Sequence, residues 1–127
     1  MKRYLLLFLL IGCRGHGDSL AYLDAQVGQR PTAGFWDTEP LHKKLKDLLG
    51  DRYTQFVADM AKAGPLSRGK YLYLISPIDS GYAYLLIDTQ TGKLSASMHS
   101  SIQIENFQSP GEAFDVPAEI QSKIEKN

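Results

Sequence analysis

The chain holds one cysteine and three histidines, and their settings decide what chemistry it can offer. Cys13 is the sole thiol, so no disulfide can form within the chain; it follows an apolar run from Tyr4 to Ile11 and the small residue Gly12. A thiolate so placed is a nucleophile that can accept a covalent group, and the glycine before it leaves the backbone open to a peptidase. His16 lies among glycines, His42 among lysines, and His99 beside Ser97, Ser100 and Ser101. A serine–histidine pair can be drawn from the last group, but no acidic residue is placed to orient the imidazole. Three histidines in unrelated settings do not compose a zinc site. There is no Gly-x-Ser-x-Gly elbow, no Cys-x-x-Cys pair, no His-Glu-x-x-His helix and no glycine loop for phosphate. The residues therefore point away from an enzyme, and to no metal and no cofactor.

The cysteine belongs to an address. Met1-Lys2-Arg3 is a short cationic start, and the run behind it has the layout of a secretory signal. At roughly eight residues the run is too short to cross a bilayer, which takes about 20 helical residues, and it suits a signal core of about 7–15. Leu10-Ile11-Gly12-Cys13 resembles the lipobox of bacterial lipoproteins. The resemblance implies diacylglycerol on the Cys13 thiol, cleavage between Gly12 and Cys13, acylation of the new amino terminus, and a partner in the membrane itself. Arg14 stands where aspartate would imply inner-membrane retention, so the resemblance favours the outer membrane facing the periplasm. The expected division is a signal peptide over 1–12, a lipidated tether over 13–34 and a single domain over 35–127. An unpaired cysteine in an exported chain calls for such an explanation.

Composition narrows the partners. The 14 basic residues match the 14 acidic ones, and loss of Lys2 and Arg3 leaves a slight acidic excess. Nucleic-acid binding needs clustered lysine and arginine, and no such cluster is present.

Periodicity supplies the elements. Leu41, Leu45, Leu48 and Leu49 form one helical stripe, with Asp37 or Thr38 as cap and Gly50 as the terminating residue. Tyr53, Phe56, Val57 and Met60 form a second stripe, opened by Asp51 and ended by Gly64-Pro65. The period then becomes alternating over Tyr71–Ile75 and Tyr82–Ile87, with strands following over 93–98 and 101–107. Ser76, Pro77, Ile78, Asp79, Ser80 and Gly81 read as a loop, and Asp88–Lys93 as a tight turn with Gly92 left-handed. A short helix with Pro117 in its first turn and Ile120 on one side closes the chain. The fold class is α+β: an antiparallel sheet of about four strands, preceded by two helices and followed by a short C-terminal helix.

Alternation assigns Leu72, Leu74, Ala83, Leu85, Ile87, Leu94, Ala96, Met98, Ile102 and Ile104 to the face under the helices. Ser95, Ser97, Ser101, Gln103 and Glu105 fall on the other face, which suits water. Tyr71, Tyr73, Tyr82 and Tyr84 share that second face. They form either a packed layer covered by Phe35 and Trp36, or an exposed platform for a partner.

The order of helix, Gly-Pro, aromatic strand, proline loop, strand and Asp-x-x-Thr-Gly turn resembles a group of small periplasmic lipoproteins of uncharacterised function, over roughly residues 36–124. It is more distantly similar to periplasmic lysozyme inhibitors. That resemblance implies a loop presented to an enzyme cleft, which here would be Ser76–Gly81. Inhibitors of the vertebrate-lysozyme type close this loop with two cysteines and present a histidine, and this chain has neither. The reading reached from sequence is an envelope lipoprotein acting as a non-catalytic binding module for an envelope protein. The alternative is inhibition of a lysozyme-like, peptidoglycan-cleaving enzyme.

Overall fold

A leucine every third or fourth position makes Leu41–Leu49 a helix with one buried side. Leu41, Leu45 and Leu49 are buried, while Lys43, Lys46 and Asp47 face water. In the computed structural model, which describes residues 19–111 and 113–125, this helix (α2) follows a short helix, α1, over Ala33–Asp37. Its start is held differently from expectation. Neither Asp37 nor Thr38 caps it; the Glu39 carboxylate accepts the Lys43 N–H at 3.0 Å, and Pro40 immediately precedes the first turn. Gly50 ends it at φ 55°, in the left-handed region that favours glycine. A 3-10 turn over Gly50–Arg52 leads into α3, Tyr53–Asp59, whose Phe56 is buried beside Met60 of the next 3-10 turn.

The sheet has five strands, one more than expected, in the order β1-β2-β3-β4-β5 with every pairing antiparallel. They are β1 Ser67–Arg68, β2 Leu72–Ile78, β3 Gly81–Asp88, β4 Lys93–His99 and β5 Ile104–Gln108. β1 is two residues long and follows Gly64-Pro65, so no alternating pattern announces it. Gly92, at φ 77°, sits in the β3–β4 turn and donates its N–H to the Asp88 carbonyl at 2.8 Å.

On the helix side of the sheet, Leu72, Leu74, Ala83, Leu85, Ile87, Leu94, Ala96 and Met98 join the buried residues of α1, α2 and α3. Phe35 and Trp36 belong to this layer and meet edge to face, with ring centroids 4.8 Å apart. Leu20 and Leu23, in the expected tether but apolar enough there to dock on the domain, are fully buried in the same layer, one just before and one within a 3-10 turn over Ala21–Gln26. The packed unit therefore takes in the chain from Leu20 onward. The Leu10–Cys13 motif, with the cut expected between Gly12 and Cys13, and His16 lie outside the described residues.

β5 is shifted by one residue from the expected alternation. Ala96 pairs with Phe107 and Met98 with Glu105, so Phe107 and Glu105 face the helices. Ile102 and Ile104, expected in the core, are 90% and 62% exposed. The reason is the connection: His99 pairs with Ile104 across a turn over 100–103, which removes Ile102 from the strand and puts Ile104 on the opposite face. Glu105 is tolerated among the helices because Arg52 meets it with two hydrogen bonds, 2.9 Å from Nε and 2.7 Å from Nη2.

The second face is a core in its own right. Tyr73, Tyr84, Leu86 and Ile120 form a buried cluster with Ile75, Phe114 and Val116 packed against it. Its cover is the segment from Ala113 into α4, Ala118–Glu125, and not Phe35 and Trp36. Ser95 and Ser97, expected in water, are buried on this face, where Ser97 Oγ bonds Asn106 Oδ1 at 2.6 Å.

Candidate functional site

The β2–β3 connection is far tighter than its composition suggests. Ile78 pairs with Gly81, so only Asp79 and Ser80 turn, while Ser76, Pro77 and Ile78 continue β2 and Gly81 opens β3. The expected loop over Ser76–Gly81 is thus the end of a hairpin. Its composition misled because proline normally marks the end of a strand. Here the Ile75 carbonyl accepts the Gly64 N–H at 3.2 Å, so that backbone edge points away from β3. Pro77, two residues on, turns its nitrogen the same way and deprives the ladder of no donor. Ser76 is fully buried, and its hydroxyl donates to the Asp59 carbonyl at 2.8 Å. The hairpin end is therefore tied down at its base, with Pro77, Asp79 and Ser80 exposed at the tip.

This tip is a ridge between two depressions. On one side Ala58, Asp59, Ala61 and Lys62 meet Pro77, Ile78 and Asp79. On the other a cleft of about 520 Å³ separates the ridge from the β4–β5 turn, with His99, Ser100, Ser101 and Ile104 on its far wall. The two turns are also fastened together. Ser101 donates its N–H to Ser80 Oγ at 3.3 Å. Gly81 packs so closely on β4 that a Cβ there would lie 1.7 Å from the His99 carbonyl oxygen. Only glycine permits that approach, which fixes the ridge relative to its neighbour.

His99 lines this cleft without catalytic company among the described residues. Its Nε2 is buried with no hydrogen-bond partner, and its ring lies 5.6 Å from that of Tyr84. Ser97 Oγ is engaged by Asn106, and Ser100 Oγ donates to the Gln103 carbonyl. His42 is held by Glu39, its Nδ1 3.0 Å from Oε2, and stands edge-on to Tyr53. Among the described residues no group of three or more His, Cys, Asp or Glu side chains converges as a metal site would require, and no helix is long and apolar enough to cross a membrane.

The four tyrosines divide. Tyr73 and Tyr84 are 6% and 5% exposed beneath Ile120, so neither is open to a partner. Tyr71 and Tyr82 are half-buried: the Tyr71 ring meets that of Phe114 at a tilt, with centroids 4.8 Å apart, and Tyr82 pairs across the ridge with Pro77. The platform read from alternation is thus closed by the C-terminal segment, whose apolar residues Phe114, Val116 and Ile120 were the signal for it. What sequence reasoning missed is the β4–β5 turn beside the ridge, because Ile102 and Ile104 read as core.

The described residues thus make a small α+β domain with a braced, exposed hairpin end. Residues 40–127, more than half of the chain, match the family described as inhibitor of vertebrate lysozyme (Ivy), and the chain belongs to that family. No curated protein and no solved structure matched it.

Proposed function

We propose that this protein inhibits a lysozyme-like, peptidoglycan-cleaving enzyme by inserting the Pro77–Ser80 ridge into the enzyme's cleft. The observation that carries the reading is the ridge itself: an exposed two-residue turn, inside the family-matched region, flanked by two depressions and braced at its base and against the β4–β5 turn. A substrate cleft shaped for a polysaccharide is filled by a narrow convex element, and a tip already fixed loses little freedom on binding. Neither a paired cysteine nor a histidine is used. Strand pairing of Ile78 with Gly81 and the Ser80–Ser101 bond hold the turn instead, and the tip offers Asp79. We further propose that Cys13 carries lipid and holds the domain at the envelope, where such an enzyme would attack.

The test is lysis of peptidoglycan by a vertebrate lysozyme with and without the protein. The wild type is expected to slow lysis in a saturable way. Asp79→Lys, a substitution at an exposed tip, is expected to weaken inhibition by about tenfold or more, about 1.4 kcal/mol, with an unchanged melting temperature. No inhibition by the wild type would remove the proposal, and full inhibition by Asp79→Lys would move the contact away from the ridge.

A further inference from the structure

We infer that the β4–β5 turn is a second anchor of the same inhibitory surface, with Ile102 as its apolar contact on the enzyme rim beside the cleft; this rests on the inhibitor reading above. Ile102 and Ile104 are the large hydrophobic side chains left exposed among the described residues, at 90% and 62%. A single exposed isoleucine needs no explanation. Here both lie at one end of the sheet, next to the ridge, and Ile104 shares the cleft wall with His99, Ser100 and Ser101.

Their exposure is built rather than incidental. Ser100 donates its N–H to the Gln103 carbonyl at 2.9 Å, and Gln103 returns its own N–H to Ser100 Oγ at 3.1 Å. These bonds close the turn around Ser101 and Ile102 and hold Ile102 outward, where it cannot fold back on the sheet. The Ser101–Ser80 bond and the close packing of Gly81 on His99 set the distance between Ile102 and the ridge. A partner that accepts the ridge meets Ile102 in fixed register, so the two turns bind as one surface. The partner chemistry follows: a protein with a cleft for the ridge and, at its lip, an apolar patch for an uncharged branched side chain. Apolar anchors of this kind, buried only in the complex, supply much of an interface's free energy while leaving the free protein's stability unaffected.

Inhibition of a vertebrate lysozyme is measured for the wild type, Ile102→Ser, Asp79→Lys and the double variant, with thermal melting and sedimentation of each. Ile102→Ser is expected to weaken inhibition about tenfold or more, to leave the melting temperature unchanged and to leave the sedimentation coefficient unchanged. Ile102→Val should recover most of the loss, since a branched apolar contact is restored. If Asp79→Lys abolishes inhibition while Ile102→Ser inhibits like the wild type, the ridge reading stands and the second anchor is overturned. If Ile102→Ser inhibits normally but converts a dimer to a monomer, the patch serves a second copy of this chain and the inference is overturned. A wild type that inhibits nothing removes the inhibitor reading and this one together.

Discussion

At the scale of single residues, Gly81 carries the most consequence for its size. Its missing side chain lets β3 start against the His99 carbonyl, and nothing larger fits without separating the two strands. Gly81→Ala is expected to lower stability by more than about 2 kcal/mol and to loosen the ridge, which denaturant unfolding and proteolysis at the turn would show. Gly64, with nothing within 4 Å of an added Cβ, is the control: Gly64→Ala should leave the ridge intact. The close approach at Gly81 was not legible in sequence, because Ser-Gly after a proline and an aspartate reads equally well as loop. Gly92 and Gly50 were legible, since each follows an element whose period had already ended. Ile102 and Ile104 were misread for a parity reason: a strand started at residue 101 or at 104 gives opposite faces to the same side chains.

At the scale of elements, the C-terminal segment decides what the tyrosine face can do. Burial pushes the Tyr73 phenol up to about 12, and the Glu119 carboxylate adjoining it adds to the shift. The folded chain thus holds its proton where an unfolded tyrosine, with a value of 10.0, would release it. The corresponding stability is fully present below pH 10 and is lost as pH rises from there to about 12. Burial also raises Tyr22 and Tyr53, so an absorbance titration should show several late-ionising tyrosines, of which the component near pH 12 disappears in Tyr73→Phe. Ile120→Ala, which opens the cover, should bring that component down toward its ordinary range and cost about 2–5 kcal/mol. A component near pH 12 that survived Tyr73→Phe would belong to another tyrosine, and one lost in Tyr73→Phe yet unmoved by Ile120→Ala would mean that α4 does not cover Tyr73. The helical stripes and the strands β2, β3 and β4 followed from period alone, because each repeats its pattern over several residues. Two-residue β1 offers no period, and the cover of the second face is a tertiary fact, expressed only as scattered Phe114, Val116 and Ile120.

At the scale of the whole molecule, the sheet separates two apolar layers, one under the helices and one under the C-terminal segment. The proposed anchor lies at the far amino terminus of the sequence and is tested apart from the fold. Lipidated chain isolated from bacterial membranes should have the mass of the chain from Cys13 plus acyl groups, while Cys13→Ser should be recovered without lipid and still inhibit in solution. A wild-type mass lacking lipid would remove the anchor and leave the inhibitory surface untouched. On the proposed anchor the protein would be concentrated on a surface among its own copies, and that would make the outer edge of β2 matter. Tyr73 is taken by β1, the Ile75 carbonyl by Gly64, and Pro77 has no N–H to offer. That stretch of the edge is paired or lacks a donor, so on the proposed anchor a neighbour's strand would find no template here. The same proline that shapes the ridge keeps it from being zipped into a sheet, and recognition at this end is left to side chains and shape.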